Sequence, residues 1–287
     1  MGMPDPVEIF GSYTAWKADP DTWFINFMNG SQMMYLLEGE EKALLIDTGW
    51  GAGNLRAFVE KLTDKPLMVV NTHFHPDHAA GNGEFERVYM SAGAEDDRLS
   101  IEEQKEGMAL FDLSKLPHPD YEKVYIGEGY VFELGGRNVE VLVAKNAHCN
   151  SSLFFLDRGH RMFFTGDDLE SAQVNLFNNS CNPDKPYDNK EVLDNFRDNC
   201  VRIKGLESEF DWLLPNHNGF PISKDYVDEF IELVDAIYDG TATVCESLEH
   251  KFMEMDPQAD KICRVRWKHA SVMVYKDAIK ELYGSNK

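Results

Sequence analysis

The chain is poor in positive charge: 28 lysines and arginines stand against 50 aspartates and glutamates in 287 residues, a formal net charge of −22. A surface that negative repels phosphate backbones, so nucleic acid is excluded as an expected partner. Long apolar runs are also missing. None approaches the roughly 18 residues a membrane span needs, and no membrane partner is expected. Cysteine is sparse: Cys149, Cys181, Cys200, Cys245 and Cys263 are odd in number and form no CxxC pair, so they read as reduced thiols rather than a disulfide framework. The opening "MGMPDPVEIFGSYTAW" has neither the basic segment nor the apolar core of a secretory leader, and Pro6 stands where a myristoylation signal has Ser or Thr. A cytoplasmic location is therefore expected. No internal repeat, low-complexity tract or linker stands out. The expectation is one domain over 1–287, with 241–287 a C-terminal appendage that completes or covers the active-site side.

What the chain does have is enough apolar material for a sizeable core, 43% hydrophobic and 12% aromatic residues. "MMYLLEGEEKALLIDTG" (33–49) predicts two short strands around a polar turn at Gly39-Glu40-Glu41. Leu55, Phe58, Val59 and Leu62 recur at helical spacing, and "PLMVVNT" (66–72) reads as a buried strand. Residues 93–112 are acidic and read as helical; 138–144, 152–157 and 161–168 read as strands, the last two joined as a hairpin. A polar loop at 174–190 is expected to act as a lid or substrate loop. Helices are expected at 190–206 and 223–240, a strand at 211–217, and a last strand at 271–279. Strands interleaved with helices argue for an α/β architecture.

The most informative stretch is "VVNTHFHPDHAAGN" (69–82), which crowds His73, His75 and His78 around Asp77 in a chain with only nine histidines. Neutral imidazoles and a carboxylate together suit a divalent cation such as zinc, iron or manganese. His148 follows the strand "VEVLVA", Asp167 sits in "MFFTGDD", and His217 in "LLPNHNG", each at the end of a predicted strand, where a rigid scaffold presents functional groups. Five histidines and two aspartates match the roughly seven protein ligands a binuclear site needs.

In order and approximate spacing, "THFHPDH", "AHCNSS", "FFTGD" and "PNHNG" resemble the metallo-β-lactamase superfamily of hydrolases, over roughly residues 30 to 240. The resemblance implies a four-layer αβ/βα sandwich with helices outside two facing sheets. It implies that His73, His75 and His148 hold a first metal, that Asp77, His78 and His217 hold a second, and that Asp167 bridges them. Asp47 in "LLIDTG" would orient ligands from behind. Two divalent metal ions are implied, best zinc, with iron and manganese as alternatives. The implied reaction is attack by a metal-bridging hydroxide on an electrophilic carbonyl or phosphoryl centre, with Asp77 as catalytic proton relay.

Histidine rather than glutamate at His75 argues against the diiron redox branch, and the bridging Asp167 points away from true β-lactamases towards the glyoxalase II, lactonase and phosphodiesterase branch. Where the family shows Thr-x-Gly after this histidine, the chain has Cys149-Asn150-Ser151-Ser152, and Cys149 reads as packing. A carboxylic ester, lactone or thioester is the expected small-molecule substrate. A phosphodiester, and a non-catalytic metal-binding role, are the alternatives. Trp50 is read either as lining the pocket mouth or as packing, His118 and His160 as exposed, and His269 as a tail residue or a lid contact. A homodimer remains an open expectation.

Overall fold

The computed structural model describes residues 8–10, 13–27, 32–51, 53–95, 120–171, 173–177, 188–245, 248 and 259–286. Eight strands, β1 (Glu8–Phe10), β2 (Tyr13–Asp19), β3 (Thr22–Phe27), β4 (Gln32–Glu38), β5 (Ala43–Ile46), β6 (Leu67–Val70), β7 (Arg87–Ser91) and β8 (Glu122–Ile126), lie side by side in chain order. The first five pair antiparallel and the rest parallel, β6 beside β5 through Leu44↔Met68 and Ile46↔Val70. Parallel neighbours need a crossover, and helix α1 (Leu55–Leu62) supplies it between β5 and β6. Asn54 starts that helix by accepting a 2.9 Å hydrogen bond from the Ala57 N–H.

A second sheet has the order β14-β12-β11-β10-β9, from β9 (Val131–Glu133), β10 (Asn138–Val143), β11 (Leu153–Asp157), β12 (Met162–Gly166) and β14 (Trp212–Pro215). Successive strand side chains point to opposite faces. Phe155 and Phe164 therefore meet Tyr35, Leu37, Leu44 and Ile46 of the first sheet, while Phe154, Leu156 and Phe163 face outward. Onto that outer face pack Val192, Leu193 and Phe196 of α3 (Asn189–Gly205), and Phe230, Leu233 and Val234 of α4 (Asp225–Tyr238). On the far side, Leu55, Phe58 and Val59 of α1 cover the first sheet. The layers are helix, sheet, sheet, helix, as expected. Truncating a fully buried ring such as Phe164 to alanine costs about 3–5 kcal/mol.

A third sheet, β13-β17-β16-β15, is built from β13 (Val174–Asn175), β15 (Thr243–Cys245), β16 (Ile262–Trp267) and β17 (Ala270–Tyr275). The expected strand at 271–279 stops at Tyr275 and turns into helix α5 (Lys276–Leu282), which buries Ala278 and Leu282. Lysine, alanine, glutamate and leucine in that stretch are good helix formers, and their apolar members share one face. The loop expected over 174–190 begins as β13, paired parallel with β17 through Val174↔Val272; residues 178–187 lie outside the described residues. The helical expectation for 93–112 also lies outside them beyond Glu95, where a short 3-10 turn, Ala92–Glu95, closes β7. Among the described residues, no helix is long and apolar enough to cross a membrane.

One buried charge pins the two main sheets together. Arg137, 3% exposed, donates to Asp157 Oδ2 at 2.6 Å, to the Asp21 carbonyl at 2.6 Å, to Thr22 Oγ1 at 2.9 Å and to the Glu38 carbonyl at 3.3 Å. Asp157 also accepts from the His160 N–H at 3.1 Å, so half-buried His160 is part of this knot. Glu38 ends β4 and Asp157 ends β11. Since β4 runs antiparallel to β5, and β11 to β12, the knot sits at the N-terminal edge of β5 and β12.

Candidate metal centre

The opposite edge, at the C-terminal ends of β5, β6, β12 and β14, collects the predicted side chains. Asp47 follows β5, Thr72 and His73 follow β6, Asp167 follows β12, and His217 follows β14. His75 stands at the start of α2 (Pro76–Ala79) with φ −70° and ψ 152°. A residue before proline is biased to that extended region, so Pro76 bends the chain and Asp77 and His78 are delivered on a helical turn. Gly166, at φ 57°, is needed before Asp167: a Cβ there would lie 3.0 Å from Thr72 Cβ.

The seven residues fall into two sets whose donor atoms lie within 4.8 Å of one another: His73, His75 and His148 in one, Asp77, His78, Asp167 and His217 in the other. Asp167 Oδ2 sits between them, 3.8 Å from the Nε2 atoms of His73 and His148, 3.3 Å from His78 Nε2 and 3.5 Å from His217 Nε2. His217 Nε2 is 3.1 Å from Asp77 Oδ2 and 3.2 Å from His78 Nε2. His148 Nε2 faces His75 Nδ1 at 3.0 Å. Imidazole nitrogens that converge on each other and on carboxylate oxygens need either protons or cations between them.

The back side of the site decides which nitrogen faces inward. Asp47, wholly buried and at φ 66°, accepts from the Thr72 N–H at 2.7 Å, from Thr72 Oγ1 at 2.7 Å, from Asn216 Nδ2 at 2.8 Å and from His78 Nδ1 at 2.8 Å. A carboxylate only accepts, so His78 carries its proton on Nδ1 and turns an Nε2 lone pair to the site. The Thr72 hydroxyl, already donating to Asp47, accepts from His73 Nδ1 at 3.0 Å, and the Asn175 carbonyl accepts from His148 Nδ1 at 2.8 Å. Three rings are thus set in the tautomer that a metal ligand requires.

The buried atoms without a hydrogen-bond partner in this arrangement include His73 Nε2 and Asp167 Oδ1. Buried polar atoms without a partner are rare, because each costs about 1–3 kcal/mol. A divalent cation satisfies both, and imidazole with carboxylate is a donor set such ions accept. The residues present therefore fit the group.

The protonation pattern follows the same division. Burial pushes His73 well down, with the His78 ring beside it adding to the effect, and burial likewise lowers His148. Burial also opposes charge on His217 and His78, but Asp167 and Asp77 outweigh it, raising His217 to about 10 and His78 well above its ordinary value. Burial opposes ionisation of Asp77, yet His78 and His217 hold it well below the usual carboxylate range. His73 and His148 are thus held neutral, whereas in the second set the carboxylates of Asp77 and Asp167 hold protons on His78 and His217 that a cation would displace.

Several contributing residues have no mark in the sequence. Thr72 and Asn216 act through hydrogen bonds to Asp47, and the carbonyl of Asn175 that meets His148 belongs to every residue alike. Asn199 of α3 clamps the His148 loop, accepting from the Lys145 N–H at 2.8 Å and donating to the Lys145 carbonyl at 2.9 Å. Glu170, buried beside Asp167, accepts from Asn218 Nδ2; burial first, and Asp167 second, raise its carboxyl well above the usual range. Other singled-out residues lie elsewhere. Trp50 packs against the cluster under α1, His269 is exposed and bonded to Glu229 at 3.0 Å, and Cys149 is buried against the Ser151 and Ser152 hydroxyls. His118 lies outside the described residues.

A family model described as the metallo-beta-lactamase superfamily matches residues 29–198. The chain belongs to that superfamily. Among curated proteins it is similar to an acyl-coenzyme A thioesterase, MBLAC2 of Gallus gallus, at 27% identity over 157 residues, 47% of this chain and 56% of that protein. The chain thus spans about half the length of the curated relatives it matches. Among solved structures it is similar to a metallo-beta-lactamase from Pontibacter korlensis, with TM-score 0.56 and 18% identity, over 78% of this chain and 99% of the other. It is also similar to the sec-alkylsulfatase Pisa1 from Pseudomonas sp., with TM-score 0.59 and 16% identity, over 78% of this chain and 42% of the other. These structural likenesses bear on the fold, which is the superfamily's sandwich.

Proposed function

We propose that this superfamily hydrolase uses a binuclear metal centre to cleave an ester-like carbonyl compound: a carboxylic ester, lactone or thioester. The observation that carries the reading is Asp167 Oδ2, which stands within 3.8 Å of four imidazole Nε2 atoms drawn from both donor sets. His73, His75 and His148 would hold one ion, Asp77, His78 and His217 the other, and Asp167 would be shared. Zinc suits these donors best, with iron and manganese as the alternatives. When bound there, the ions would supply Lewis-acid polarisation and a water acidified towards neutrality.

The chain's own groups do the rest. Asp47 holds His78 directly and His73 through the Thr72 hydroxyl, so that neither ring reorganises during turnover. Asp77, partly open to solvent and 3.1 Å from His217 Nε2, is placed to take a proton at Oδ2 and return it to a leaving group. The named activity of the curated relatives, over half their length, supports a thioester among the ester-like bonds, and the net charge of −22 favours it over a phosphodiester. A cytoplasmic setting suits the reduced cysteines, and 241–287 would flank the site as an appendage of the same domain.

The test is a hydrolysis panel on zinc-loaded protein: aryl esters, lactones, thioesters, β-lactams and bis-aryl phosphates, with His75→Ala beside it. Turnover of ester-like compounds that vanishes in the variant is the expected result. Turnover confined to phosphodiesters would overturn the substrate class.

A further inference from the structure

Two surface clefts stand out, and they differ in kind. The larger, about 620 Å³, runs beneath α1 and is walled by charges of both signs, among them Arg56, Glu60, Lys65, Arg87 and Glu122. Those charges neutralise one another, Arg56 with Glu60 at 3.0 Å and Arg87 with Glu122 at 2.7 Å, and none of the seven site residues lines it. The second, about 440 Å³, opens directly at His217. That volume is in the range of small-molecule sites.

Its walls are mostly carbon. Met33, Phe220, Pro221, Ile222 and Tyr226 line it, with no lysine, arginine, aspartate or glutamate among the described lining residues. Three of the polar side chains that line it are engaged with the protein itself. Asn218 Nδ2 donates to Glu170, Ser171 Oγ donates to the Asn218 carbonyl at 2.6 Å, and Ser223 Oγ bonds Asp225 Oδ2 at 3.0 Å. The Met33 carbonyl accepts from Asn216 Nδ2 at 2.6 Å. The same bonds fix the wall: Asn218 is held at φ 60° from two sides by residues 170 and 171, and the Phe220 ring packs edge-on against Phe24 with centroids 4.8 Å apart. A preset wall binds without an ordering cost.

We propose that this cleft receives an uncharged, apolar acyl or alkyl portion of the substrate, so that the protein selects ester-like compounds with a hydrophobic chain next to the scissile carbonyl. Beyond its inner end at His217 the cleft offers the phosphate groups of a coenzyme ester no lysine or arginine, so they would have to lie elsewhere. The proposal rests on the hydrolytic reading for its chemistry, but the cleft can be tested without turnover.

The direct test is calorimetric binding of neutral 1-alkanols, from butanol to decanol, to the zinc-loaded full chain. Affinity should rise about fourfold per methylene, the worth of burying one CH₂, until the cleft is filled. Ser223→Trp, which fills the cleft from its exposed rim, and Tyr226→Lys, which puts a cation into it, should each flatten that dependence, with far-UV and near-UV spectra reporting whether each variant is folded. Aryl esters of two to ten carbons form the second arm, in which kcat/KM should climb with chain length in parallel. Chain-length-dependent binding without any ester turnover would uphold the cleft and defeat the hydrolytic reading. Alkanol affinity independent of length, or displacement of octanol by coenzyme A, would overturn the cleft proposal even if esters are turned over.

Discussion

The two edges of the sandwich each bury charge, and they solve the problem in opposite ways. At one edge Arg137 and Asp157 are paired at 2.6 Å, and the guanidinium meets the Asp21 and Glu38 carbonyls and Thr22 within 3.3 Å. The protein supplies those partners itself. At the other edge His73 Nε2 and Asp167 Oδ1 are buried with no hydrogen-bond partner, although Asp47, Thr72 and Asn175 orient the rings around them with care. Closed burial of charge is structural. Burial in which only the backs of the ligands are satisfied marks a place for something from outside.

The largest effect that would break this comparison is loss of a ligand. His148→Ala or His75→Ala should cut zinc-dependent turnover by about a thousandfold, the scale on which one electrostatic stabiliser of a transition state matters, while circular dichroism and Tm of the metal-free protein stay near those of wild type. Arg137→Ala should do the reverse. Leaving Asp157 buried without its partner costs about 3–5 kcal/mol, read by urea denaturation, with the metal stoichiometry of the surviving folded protein unchanged. Because the knot and the centre share no partner, the destabilisation should be the same with and without zinc. A strong dependence on metal would mean that the two edges are coupled.

A finer probe is Asp47→Asn. The amide keeps the shape but can no longer dictate the His78 tautomer, and zinc affinity should fall about 10–100-fold, measured by competition with a chromophoric chelator. Thr72→Val removes only the relay to His73 and should fall at the lower end of that range. The smallest effect is expected from His269→Ala. Its ring is largely exposed, and the exchange should stay within about 0.5 kcal/mol without changing turnover.

How much of this was legible beforehand depended on whether the signal was local. His73, His75, Asp77 and His78 share one turn, so their type and spacing were visible at once. His148, Asp167 and His217 were visible because each ends an apolar run that reads as a strand. The strands around Asp47 and the helices at 190–206 and 223–240 followed from the local apolar pattern for the same reason. Arg137 was not legible: an arginine after Gly135-Gly136 reads as an exposed turn, and its partners come from 20 to 116 residues away. The first three strands were missed because Ala15, Trp23 and Ile25 gain their meaning only from the sheet they join. Asn175 contributes a carbonyl oxygen, which no side-chain pattern can announce.

Whether this edge holds two metals is decided by elemental analysis of zinc per chain after equilibration and removal of free metal, for wild type, His148→Ala, His217→Ala and Arg137→Met. Wild type and Arg137→Met should each hold about two zinc ions per chain, falling to about one in each histidine variant, since each variant opens a different donor set. One ion or none in wild type, or two retained in either histidine variant, would contradict the two-metal reading of this edge.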